Sequence, residues 1–97
     1  MMLRALKMRL FACYKRRGHL LYELQQQSSA GQFLAMLAAS NISLTDATSC
    51  IHLYLFWSDF LLALDWAEEL DEELPSTIDE AITLLAHWHL QVMSNTT

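Results

Sequence analysis

Four histidines, two cysteines and eleven carboxylates are the side chains of this 97-residue sequence that could do chemistry, and their spacing decides which kind. His87 and His89 stand two apart, so on a helix they point to different sides and do not form the i, i+4 pair that grips a metal. His89 falls in an apolar stripe, where a hydrogen-bonded structural role is the simpler reading. His52 and Asp59 share a helix face but lie about 10 Å apart along its axis, too far for a base and the carboxylate that would orient it. Cys13 and Cys50 fit neither a disulfide framework nor a CxxC pair, and each sits among apolar residues at helical spacing, which predicts buried free thiols. The sequence holds no Gly-rich phosphate loop, no HExxH and no GxSxG. The expectation is a protein that is not an enzyme, with no catalytic residues, no metal and no cofactor.

The elements that position these groups read as helices throughout. At 54% apolar residues with two Gly and one Pro, the chain has the composition of one small folded domain, spanning 1–97, rather than of a disordered segment. No stretch alternates in the manner of a strand, whereas the 3.6-residue period appears four times. Leu3, Leu6, Leu10, Cys13, Arg17, Leu20 and Leu24 recur at steps of three and four, drawing one a/d stripe along a helix of about seven turns. Gly18 falls opposite that stripe and is expected only to weaken the helix or kink it. Ser29-x-x-Gln32 caps a short second helix that fades at Ser40 and Asn41, and Ser43-x-x-Asp46 caps a third that runs without a breaker from Leu44 to Leu74. Pro75 stops it. Thr77-x-x-Glu80 caps a fourth, with a stripe of Ile78, Ile82, Leu85, His89 and Val92, and the polar tail 94–97 should fray. The fold class is all-α, a compact bundle of about four helices. The long third helix is apolar on more faces than its partners can cover, so a homodimer is expected to complete the burial. The most apolar run, 47–64, contains His52, Ser58 and Asp59, which are costly in hydrocarbon, so no spanning helix is expected and a soluble, cytoplasmic protein is.

Charge is segregated along the sequence. Residues 2–17, MLRALKMRLFACYKRR, hold all six Lys and Arg, and every acid comes later. Asp65, Glu68, Glu69, Asp71, Glu72 and Glu73 crowd the end of the third helix, where the macrodipole is already negative and like charges repel at i, i+4. If a short second helix lets the first and third run antiparallel, the two charge clusters meet. Arg4, Lys7, Arg16 and Arg17 are then the compensating cations, and Arg17, inside an apolar stripe, needs Asp59 or Asp65.

Two functional readings follow. In the first, the acidic and aromatic face LDWAEELDEEL docks on a basic surface of another protein, with Trp66 and Leu70 as apolar anchors among Glu69, Glu72 and Glu73. The protein is then a regulator, an inhibitor or a secretion-type chaperone or adaptor. In the second, the basic first helix binds nucleic acid. The net charge of -5 and a third helix without Lys or Arg weigh against that, although the second and third helices have roughly helix-turn-helix spacing.

Overall fold

The computed structural model of the protein describes residues 2–95, and these form five helices and no strand. They are α1 (Met2–Gln27), α2 (Ala30–Ala39), α3 (Leu44–Leu55), α4 (Trp57–Glu69) and α5 (Ile78–Asn95). The caps are where the sequence puts them. Ser29 Oγ accepts from the Gln32 amide at 3.2 Å while the Gln32 side chain accepts from the Ser29 amide, a full capping box. Ser43 Oγ accepts from the Asp46 amide and Thr77 Oγ1 from the Glu80 amide. Of the tail expected to fray, Ser94 and Asn95 are helical, and 96–97 lie outside the described residues.

The helix expected over 44–74 is three segments instead. The backbone turns by 85° at Phe56, where neither Gly nor Pro stands. The turn swings α4 so that Phe60 and Leu64 join Phe11 of α1 and Ala81 and Leu85 of α5 in one buried cluster, and burial outweighs the helical continuity the sequence pattern favours. α4 then stops at Glu69, short of Leu74. Asp71 adopts φ 57°, and the amides of Asp71 and Glu72 donate to the carbonyls of Glu68 and Ala67, the two bonds of a Schellman motif. Leaving the helix here separates carboxylates that would otherwise stack one turn apart at its negative end. The same motif ends α2, with Asn41 at φ 57° and Ile42 bonded back to Leu37.

α1 runs antiparallel to α3, as expected, but on a different face, and its first turns reach α4 at Asp65 and Glu68. Phe11, Gly18 and Leu21 are buried there, with Met8 and Tyr14 packed beside them. Leu6, Leu10, Cys13, Arg17, Leu20 and Leu24 are exposed, Leu6 at 59% and Leu20 at 58%. Gly18 accounts for the inversion. A Cβ on it would collide with the Cys50 carbonyl and come within 3.0 Å of Tyr54 Cβ, so the glycine is the notch that lets α1 and α3 touch backbone to backbone. Cys50 is buried in a second cluster with Leu21, Phe33, Leu37 and Ala47, whereas Cys13, also expected inside, faces out with the stripe.

The result is a plate, 43 × 37 × 17 Å, rather than an equant bundle. Its radius of gyration of 14.9 Å exceeds the roughly 12.5 Å of a compact domain of this length.

Candidate functional site

The cations of α1 go to four different kinds of place. Arg4 bridges Asp65 Oδ1 at 3.1 Å and Glu68 Oε2 at 2.7 Å. The bond to Asp65, opposed by partial desolvation and reinforced by Glu68, raises the guanidinium pKa. Lys7 Nζ donates to the Leu74 carbonyl at 2.7 Å, tying α1 to the loop after α4. Lys15 sits 4.9 Å from the centre of the Trp57 ring, a cation–π contact. Arg16 and Arg17 are exposed and, among the described residues, pair with no carboxylate. The two acids proposed for Arg17 are taken, Asp65 by Arg4 and Asp59 by His89, and Arg17 needs neither because its stripe is not buried. The meeting of the charge clusters is therefore real at Arg4 and absent at Arg16 and Arg17. Because the Arg4 pair is partly solvated, Arg4→Ala should cost about 0.5 kcal/mol and lower Tm by about 3 °C in a thermal melt at 0.1 M salt.

Most of the acids are left over. Glu72 and Glu73, on the loop that the Schellman turn releases, face Asp79 and Glu80 in the first turn of α5 across a groove of about 320 Å³. Pro75, Thr83, Leu84 and His87 complete its walls. Pro75 is buried, so the loop is anchored. Asp79 and Glu80 are held electrostatically by the helix N-terminus, and Glu80 also accepts from the Thr77 hydroxyl at 3.2 Å. Of the expected partner-binding residues, Glu72 and Glu73 line the groove. Trp66 is partly buried on α4, while Glu69 and Leu70 are exposed beyond the groove, Leu70 at 51%. Sequence reasoning passed over Asp79, Glu80 and His87 as groove residues. The available signal was Pro75, flanked on both sides by acids, whose turn folds the two runs onto each other.

A second polar cluster lies across the Phe56 elbow. His89 Nε2 and Asp59 Oδ2 are 3.0 Å apart, which gives His89 the hydrogen-bonded structural role expected of it. The Phe56 ring stands between His52 and His89, with centroid distances of 4.7 and 5.5 Å. Desolvation lowers the His52 pKa, and the nearby His89 adds to this. A base whose folded pKa lies below its unfolded value of about 6.5 binds fewer protons when folded, so its stability contribution is present above that pH and lost as pH falls below it. Tm should therefore drop between pH 7.5 and 5.5, and His52→Phe should flatten that slope; an unchanged slope in the variant would assign it to other groups.

Among the described residues no three His, Cys, Asp or Glu side chains gather as a metal site, and no single helix is long and apolar enough to cross a membrane. Comparison with protein-family models, curated proteins and solved structures finds no match.

Proposed function

We propose that the protein is a small, non-catalytic interaction module, in kind a regulator, an inhibitor or a chaperone or adaptor of the secretion type. Its acidic groove binds a basic surface of another protein. The observation that carries this reading is the charge left unmatched. Arg4 occupies only Asp65 and Glu68, while Glu69, Asp71, Glu72, Glu73, Asp79 and Glu80 have no cationic partner among the described residues. Carboxylates set around a concave wall reinforce one another's field and favour a Lys or Arg that enters between them. Leu84 supplies apolar contact within the groove, and Leu70, exposed beyond it, extends the apolar surface a partner could cover. The free thiols Cys13 and Cys50 suit a reducing, cytoplasmic setting. We read the working form as a homodimer, because the plate leaves large apolar side chains of α1 exposed.

The test is capture by the tagged protein at 0.1 M salt, beside a Glu72→Lys plus Glu73→Lys variant. A basic protein retained by the parent and lost by the variant is the expected result. Retention unchanged by the two substitutions would overturn the groove. A saturable gel shift with DNA or RNA, weakened by Arg16→Glu, would instead favour nucleic-acid binding through the exposed cations of α1.

A further inference from the structure

We infer that the exposed stripe of α1 is the seam of the homodimer, and that the second copy packs on it antiparallel. The inference rests on the homodimer reading above and assigns its interface. Leu6, Leu10, Cys13, Arg17, Leu20 and Leu24 follow one another by 4, 3, 4, 3 and 4 residues, the a/d alternation of two helices in knobs-into-holes contact. A helix that only covers its own domain would bury this face; here α3 is packed on the other one, around Gly18.

A folded chain of 11.2 kDa exposes about 5,700 Å². This one exposes 6560 Å², so burying the ~800 Å² that each partner contributes to a stable interface would bring its surface back to that of a compact domain.

Charge selects the orientation. In a parallel pair each Arg17 meets its own copy inside the seam, and the two cationic N-terminal halves lie side by side. In the antiparallel pair that keeps all six layers, Leu6 lies opposite Leu24, Leu10 opposite Leu20, and Cys13 opposite Arg17. Flanking positions 9 and 23 then face each other twice across the two-fold axis, joining Arg9 to Glu23. Arg16 faces its own copy at the axis, on a long exposed side chain that reaches water. Beside Arg17 and Leu20 a groove of about 340 Å³, closed on its far side by Ile42, receives Leu10 of the other copy.

Light scattering at several concentrations should give twice the mass of the chain, and Leu10→Lys plus Leu20→Lys should reduce it to one chain with unchanged helical circular dichroism. Both side chains are exposed in the single chain, so their replacement does not disturb its fold. Leu6→Cys plus Leu24→Cys, in a Cys13→Ser background, should cross-link into a covalent dimer on mild oxidation. The parent should not, because antiparallel packing holds the two Cys13 Cα atoms about 10 Å apart, beyond disulfide reach. A monomer at all concentrations overturns the inference together with the homodimer reading. A dimer that survives both lysines overturns the seam alone, leaving self-association to another face. Rapid Cys13–Cys13 cross-linking of the parent overturns the antiparallel orientation.

Discussion

Gly18→Ala should lower the melting temperature by about 10 °C, although the same substitution on an exposed helix face would raise it. Alanine is the better helix former by about 1 kcal/mol, so a glycine that merely weakened α1 would be improved by it. Here the added methyl points into the backbone of α3, at the Cys50 carbonyl, with Tyr54 Cβ beside it. A carbonyl on a hydrogen-bonded helix cannot rotate aside like the tip of a flexible chain. α1 and α3 must move apart, and the contacts of Leu21 and Tyr14 with the second cluster loosen together. Overpacking of this kind costs about 3 kcal/mol, and after the gain in helix propensity about 2 kcal/mol remains. For a domain of this size that corresponds to roughly 10 °C. A melting temperature equal to or above the parent's would show that the two helices do not meet at this glycine.

Phe60→Ala should have a larger effect still. The ring is fully buried, meets Phe11 edge to face at 5.2 Å and lies 5.7 Å from Trp57. It is the point where α1, α4 and α5 share one cluster. Truncating a buried Phe costs about 3–5 kcal/mol, and a domain of this length has a total of about 5–15 kcal/mol. Urea denaturation should therefore show the midpoint collapsing toward zero denaturant, with near-ultraviolet circular dichroism lost before far-ultraviolet signal. Leu62→Ala, two residues on and half exposed, is the control and should change stability by no more than about 0.5 kcal/mol. Equal effects from the two would mean that the elbow does not place Phe60 at a junction.

The helical class and the caps at Ser29, Ser43 and Thr77 were legible because they depend on local spacing. Which face of α1 is buried was not. Its leucine stripe is the more apolar one, yet Phe11, Tyr14, Gly18 and Leu21 go inside, because a glycine lets two backbones approach closely and that contact depends on what α3 presents. The bend at Phe56 left no mark for a similar reason: no Gly or Pro signals it, and Phe60 finds its neighbours only after the turn. With α3 and α4 read as one rod, Asp59 could not be matched to His89, thirty residues away. The acidic stretch is relieved in two ways, of which the spacing signals only one: Arg4 bridges Asp65 and Glu68, while the helix also ends at Glu69. Of the groove's lining, Glu72 and Glu73 stand out in the sequence as part of an acidic run, whereas the opposite wall from Asp79 to His87 depends on the turn at Pro75.

The acidic groove lies near the loop that Lys7 holds against the start of α1, whereas the leucine stripe extends toward the other end of that helix. A helix of 26 residues is about 39 Å long. In a two-fold pair built on α1 with residue 15 at the axis, Lys7 and its copy would stand about 24 Å apart along the helices, and such a pair would present two grooves, one beside each. A ligand carrying two basic elements at that span would be held 10²- to 10⁴-fold more tightly than one carrying a single element.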